Sequence, residues 1–398
     1  MFKTLKSLLF HRPPSDDQFQ DEQARLLEHA PVPVFWMFGK TGSGKTSTVR
    51  YLTGAEDARI GSGYRPETRH SQRFDFPSEA SPLLRFMDTR GLGESAYDPD
   101  EDIREFAQST HLMIVTVRVM DHALESVLAP LRTIRKASPE RPVVLALTCL
   151  HEAYPQQQHP EVDPFDDQLI PETIPLDLQR SIRKQQDAFA GLVDRIVPID
   201  LTKPEEGFDQ PEFGGERLKQ ALLELLPAAF RQTLLQFDES MQSLRDMKER
   251  QAQPIILSHS MLAATAAAVP VPWVDIPSVM AIQSRMTYKL ASIYGQSVDR
   301  NVVLKGAGLL GGRLLARMLT RESLKFIPYV GIAANATLAF AYTYATGRAI
   351  CWYFGQVNSG HVPSEEQVSD IWREQLNQAA KLWQRTHETG NNHDGNDA

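Results

Sequence analysis

The chain has 398 residues, 42% of them hydrophobic and 23% charged, enough for two or three domains that each bury a core. A formal net charge of −8 argues against non-specific nucleic-acid binding. Its two cysteines, Cys149 and Cys351, exclude a disulfide framework and a cysteine-based zinc site, and they suit a reducing compartment.

In chain order, residues 1–30 form an N-terminal helical extension. Phe2, Leu5, Leu8 and Leu9 fall near one helical face, and Lys3, Lys6 and Arg12 add positive charge. Such a helix either touches an anionic membrane surface or packs on its own protein. Lys3 and Lys6 break the apolar run that a secretory signal needs.

From 31 to 205 the pattern alternates strand and helix. This predicts an α/β domain, a mostly parallel sheet flanked by helices, followed by an all-α hydrophobic helical domain. Strands are expected at 32–38, 70–76, 83–88, 112–119, 142–149 and 195–201, and helices at 46–52, 102–109, 122–137 and 178–193. The proline-rich segment 152–175 reads as a surface insertion.

The first strand runs into Gly39-Lys40-Thr41-Gly42-Ser43-Gly44-Lys45-Thr46, and Ser47 opens the helix after it. The spacing fits G-x-x-x-x-G-K-[ST], a phosphate-binding P-loop, and the strand–loop–helix setting is the one that motif requires. Loop N–H groups and the helix N-terminus cradle phosphate. Lys45 is expected to reach the β- and γ-phosphates, and the Thr46 hydroxyl to ligate Mg²⁺. A second signal, Asp88-Thr89-Arg90-Gly91-Leu92-Gly93-Glu94, follows a buried strand. Asp88 suits the carboxylate that holds Mg²⁺ through water, and Gly91 the backbone N–H that turns toward a γ-phosphate. Between the two motifs, Thr68 is the candidate hydroxyl that closes over Mg²⁺.

With these motifs the chain resembles the Era/TrmE-like branch of translation-factor-class GTPases, over roughly residues 32–201. The resemblance implies GTP/GDP and Mg²⁺ as cofactors, with Thr46, Thr68 and Asp88 at the metal and Lys45, Thr68, Arg90 and Gly91 at the reacting phosphate. Arg90, like Arg65 and Arg69, either stabilises transition-state charge or sits on a solvated face. Leu92 stands where many relatives carry a catalytic glutamine, so intrinsic hydrolysis is expected to be slow. The guanine-reading motif [NT]-K-x-D corresponds to Thr148-Cys149-Leu150-His151, followed by Glu152, whose carboxylate replaces the missing aspartate if the loop shifts by one residue. The last base-binding loop maps to Asp200 and Leu201. GTP is preferred over ATP on the resemblance alone.

Beyond 205 the composition changes. Connecting helices fill 206–252, an Ala/Gly-rich hydrophobic helical domain 253–360, an amphipathic helix 361–388 and a polar tail 389–398. Stretch 326–347 carries no charge and is long enough to cross a bilayer, yet Pro328, Asn335 and its threonines suit a buried bundle equally. This region is similar to the helical domain of unknown function that follows G domains in a set of bacterial GTPases, often at the inner membrane; immunity-related GTPases have a loosely similar layout. Expected partners are guanine nucleotide, a membrane through residues 255–354, and a second copy or another protein at the G domain, with no nucleic acid. The expected location is the cytoplasm, at the inner face of the cytoplasmic membrane. Three readings stand: a GTP-hydrolysing switch, a nucleotide-stabilised scaffold without turnover, and a dynamin-like membrane remodeler.

Overall fold

The computed structural model describes residues 30–56, 60, 65–66, 71–89, 106, 109–160, 162–165, 169–242, 247–268, 275–296, 332–361 and 363–393. The N-terminal extension, Thr68, Arg69, Arg90, Gly91, Leu92 and the apolar stretch 302–319 lie outside them. Two compact units are present, one of Val32–Glu79 with Leu84–Leu234, the other of Leu235–Ala398 with Ala80–Leu83 and Met1–Pro31.

The first unit holds a seven-stranded sheet: β1 (Val34–Phe38), β2 (Arg65–Pro66), β3 (Ser71–Phe76), β4 (Leu84–Thr89), β5 (Leu112–Arg118), β6 (Val143–Thr148) and β7 (Arg195–Pro198), ordered β2-β3-β4-β1-β5-β6-β7. The pairs β1–β4, β1–β5, β5–β6 and β6–β7 are parallel, and β2–β3 and β3–β4 antiparallel. Central strands of a parallel sheet are covered on both faces, so β1, and β6 up to its terminal Thr148, are apolar, and both are wholly buried. β3 lies toward the edge, and its second half, Arg73-Phe74-Asp75-Phe76, alternates polar with apolar.

Helices α1 (Lys45–Thr53), α2 (Glu125–Ala137), α3 (Leu176–Ala188) and α4 (Gly215–Leu225) accompany this sheet. α2 buries Val127, Leu128, Leu131 and Ile134, the i, i+1, i+4, i+7 stripe of a helix facing a sheet. α4, expected among the connecting helices, belongs to the sheet unit: Leu218 and Leu222 are buried, and Arg217 donates to the Pro198 carbonyl at 2.8 Å. The 152–175 segment, expected as a surface insertion, is partly folded into the core. It makes two short 3₁₀ turns, Leu150–Ala153 and Pro155–Gln157, and buries Phe165 and Ile174 in the main core.

α5 (Ala228–Gln242) runs across the division between the units, at Leu234/Leu235. The second unit contains α6 (Met247–Ala268), α7 (Asp275–Ile293), α8 (Ile332–Asn358) and α9 (Glu365–His393). α6 bears Pro254 inside it and continues past the expected boundary at 252/253. Small residues let these helices approach closely: Leu262, Ala263 and Ala266 pack against Ile282, and Ala345 and Ala349 against Trp372. Buried polar side chains pair across helices, as they must in an apolar interior. Gln253 donates to the Tyr344 hydroxyl at 2.8 Å, Gln283 to Thr343 Oγ1 at 3.1 Å and the Trp372 indole to Thr346 Oγ1 at 3.2 Å. Among the described residues no helix is long and apolar enough to cross a membrane. The part of 326–347 that is described is the front of α8, where Thr343 and Thr346 engage partners inside the bundle.

Gly347 marks a tight helix crossing. A Cβ there would lie 2.8 Å from Ile256 Cγ1 and 3.1 Å from Met286 Sδ. Gly347→Leu is therefore expected to cost about 1–3 kcal/mol or more through overpacking. Gly355, with nothing within 4 Å of its missing Cβ, gives the comparison: Gly355→Ala is expected to gain up to about 1 kcal/mol. Urea unfolding followed by circular dichroism checks both, and equal midpoints for the two variants would contradict the crossing.

Candidate functional site

The loop between β1 and α1 is built on buried contacts that its sequence dictates. Gly39 (φ 153°) sits where a Cβ would meet the Thr116 carbonyl oxygen at 2.4 Å and Thr116 Oγ1 at 2.5 Å, so only glycine lets the loop lie against β5. Ser43 is buried and shares a 2.6 Å hydrogen bond with Thr116 Oγ1. Thr148, the last residue of β6, donates to the Ser43 carbonyl at 2.9 Å. The loop is thereby tied to two strands at once.

Gly44, in the left-handed region (φ 93°), is the N-cap of α1, and no side chain caps that helix end. Thr41, Gly42 and Thr46 are exposed around it, with Gly44, Lys45 and Ser47 half-buried. The arrangement is an anion cradle: backbone N–H groups and a helix dipole at an open rim. The Lys45 ammonium folds back over the loop, donating to the Gly39 carbonyl at 2.6 Å and the Lys40 carbonyl at 3.2 Å. Asp88, near the end of β4, places Oδ1 3.9 Å from the same nitrogen. Lys45, Thr46 and Asp88 thus converge at the carboxyl ends of β1 and β4, where an open parallel sheet binds ligands. These donors fit a Mg²⁺-bound phosphate chain: a hydroxyl and a carboxylate for a hard cation, an ammonium for the oxyanions.

Lys40 is held elsewhere. It donates to Asp121 Oδ2 at 2.8 Å and to the Ala123 carbonyl at 2.5 Å. Burial alone would raise the Asp121 carboxyl, but hydrogen bonds from Lys40 and the Ala123 N–H hold it below the usual carboxylate range.

At the base-reading end the expected residues engage one another. Glu152 forms an ion pair with Arg118 at the end of β5. The hydrogen bond from Arg118 to Glu152 is the main reason its guanidinium holds its proton more tightly than usual. His151 donates its backbone N–H to Asp200 Oδ2 at 2.7 Å, and its ring Nδ1 meets the same oxygen at 2.7 Å. Cys149 adopts a left-handed backbone (φ 57°), and burial pushes its thiol up. Leu201 is buried, and its carbonyl accepts from Arg50 of α1 at 2.7 Å. Thr116, Asp121, Arg118, Arg50 and His159 escape sequence reasoning: each works through a partner more than 30 residues away, and no local pattern marks it.

Residues 35–149 match the family model of the 50S ribosome-binding GTPase, and residues 232–381 that of a domain of unknown function, DUF697. A curated relative, magnetosome membrane protein 22 of Magnetospirillum gryphiswaldense, is 33% identical over 111 residues, which cover 26% of this chain and 57% of that protein. The chain thus spans about 57% of the length of this relative. Among solved structures, the bacterial selenocysteine-specific elongation factor EF-Sec is 14% identical with a TM-score of 0.30, over 49% of this chain and 28% of that one. The bacterial dynamin GTPase LeoA from ETEC is 13% identical with a TM-score of 0.38, over 96% and 90%. The chain carries a P-loop GTPase domain, its mostly parallel sheet flanked by helices, followed by a helical C-terminal region.

Proposed function

We propose that the protein is a slow GTPase of the Era/TrmE-like kind, which hydrolyses GTP to GDP and phosphate with Mg²⁺ and switches a helical region at a membrane surface. One observation carries this reading: Lys45, Thr46 and Asp88 converge at the sheet's carboxyl edge, with Lys45 Nζ 3.9 Å from Asp88 Oδ1, beneath an uncapped helix start. Gly39 to Ser47 hold the phosphates. Thr46, Asp88 and Thr68 would hold Mg²⁺, which when bound would offset phosphate charge. Lys45 orients the γ-phosphate, Gly91 donates its N–H to it, and Arg90 meets the charge that develops there. Thr148, His151, Glu152, Asp200 and Leu201 frame the base. The membrane part of the reading draws support from the small-residue helical bundle of the second unit and from the printed name of the relative.

The engagement of His151 with Asp200, and of Glu152 with Arg118, favours a second reading. Here the protein is a scaffold that binds nucleotide without turnover, since the carboxylates of Glu152 and Asp200, which would read guanine, each already have a partner in the chain.

Turnover of GTP and of ATP by the full chain with Mg²⁺, with and without anionic vesicles, separates the two. The switch reading expects GTP turnover at least tenfold above ATP turnover, rising on vesicles. Tight GTP binding with no phosphate release would leave the scaffold, and equal use of ATP would overturn the choice of guanine.

A further inference from the structure

Three donors outside the phosphate cradle converge on one point. His151 lies on the 3₁₀ turn after β6, His159 on the segment behind it, and Asp200 just past β7. His151 Nδ1, His159 Nε2 and Asp200 Oδ2 all lie within 4.8 Å of one another. The side chain of His159 is fully buried and that of Asp200 is 5% exposed, while His151 keeps 22% exposure.

With neutral imidazoles the hydrogen bonds of this cluster do not balance. His159 Nδ1 faces the Gln210 carbonyl at 3.0 Å, an acceptor only, so Nδ1 carries the ring hydrogen. In that tautomer Nε2 presents a lone pair, and it faces Asp200 Oδ2 at 3.0 Å. Two lone pairs aimed at each other need a positive centre between them, which either a second ring proton or a metal ion supplies. The same Oδ2 also receives the His151 N–H and His151 Nδ1, both at 2.7 Å, so three nitrogens crowd an oxygen that has two lone pairs.

The surroundings are those of a metal ligand. A metal-bound histidine almost always gives its other N–H to a carbonyl or carboxylate, the part Gln210 plays for His159. Phe208 and Phe213 stack on the His159 ring at centroid distances of 5.4 Å and 4.6 Å, fixing its plane toward Asp200. Two imidazoles and a carboxylate suit Zn²⁺ and its neighbours in the first transition row rather than Mg²⁺.

We propose that His151 Nδ1, His159 Nε2 and Asp200 Oδ2 bind one divalent transition-metal ion of the Zn²⁺ class, with the fourth tetrahedral position left to water. Ligands at about 2.0–2.1 Å from zinc stand about 3.3 Å apart, so the present 2.7 and 3.0 Å contacts open by a few tenths of an ångström. His151, the half-exposed member, gives the needed freedom. Such an ion staples the turn after β6 to the loop after β7. Both are already tied to the P-loop and its helix, through Thr148 on the Ser43 carbonyl and Arg50 on the Leu201 carbonyl.

Tag-free, chelator-treated full chain without nucleotide is titrated with Co²⁺ and then Zn²⁺. The expected result is one equivalent of Co²⁺ with the intense visible bands of a tetrahedral site, displaced by Zn²⁺, and a melting temperature raised several degrees by Zn²⁺. His159→Gln is expected to abolish the bands. In case that buried change prevents folding, His151→Gln, at the exposed edge, is expected to weaken Co²⁺ binding at least tenfold in a chain whose circular dichroism is unchanged. Absence of the bands from the folded wild-type chain would overturn the site and leave a cluster bridged by a proton. So would binding that is the same in His151→Gln.

Discussion

Lys45→Ala is expected to lower GTP turnover by about 10²–10³-fold, the usual loss when one preorganised charged donor is removed from a developing oxyanion. Lys45 Nζ already stands over the loop, 2.6 Å from the Gly39 carbonyl, and needs only to exchange two carbonyls for phosphate oxygens. Little reorganisation is left for the moment of reaction. The substitution also deletes the cation 3.9 Å from Asp88, so Mg²⁺ is expected to bind the free variant no more weakly while nucleotide binds more weakly. Single-turnover phosphate release and nucleotide affinity, measured on protein whose circular dichroism matches the parent, check this. Turnover within threefold of the parent would sink the assignment of Lys45 and the reading of the cradle.

Acidification is expected to loosen the helical unit through His259. Its side chain lies inside α6, 2% exposed, with Nδ1 donating to the Ile255 carbonyl at 2.7 Å. Burial above all, then the Lys289 charge, with a smaller push from Arg285, takes its imidazole from 6.5 down to about 3. Because the folded pKa is depressed, the unfolded chain takes up a proton first as pH falls. The contribution is whole above about pH 6.5 and is lost progressively toward pH 3. At pH 5 the loss is about 2 kcal/mol. Urea unfolding at pH 7 and pH 5, parent against His259→Leu, isolates it: the parent is expected to lose about 2 kcal/mol more than the variant over this interval. Identical pH dependence in both chains would show that the group takes up its proton without unfolding.

The sequence exposes what repeats locally and hides what is made by contact. Val34–Phe38 and Val143–Thr148 were legible as strands because a sheet covered on both faces needs unbroken apolar runs. The cradle was legible because glycine spacing and a lysine dictate it. β2 was not, being two residues with a proline. His159 reads as part of a polar, proline-rich insertion, and only Phe208, Phe213 and Asp200, brought from some 40–55 residues away, make it a buried group. Asp200 was expected to frame a base, and no local pattern showed that its carboxylate also gathers two histidines. Composition left 326–347 open between a membrane span and a buried bundle, and could not show that Thr343 and Thr346 of α8 have partners on α7 and α9.

The margins of the sheet bear on how two such molecules can meet. One margin ends in the two residues of β2 and the other in the four of β7, and each includes a proline, Pro66 and Pro198. Proline brings no N–H, and so short a rim offers few open backbone groups to an incoming strand. Among the described residues, the two rims therefore offer little template for joining two copies by strand addition, the route to cross-β ribbons and fibrils.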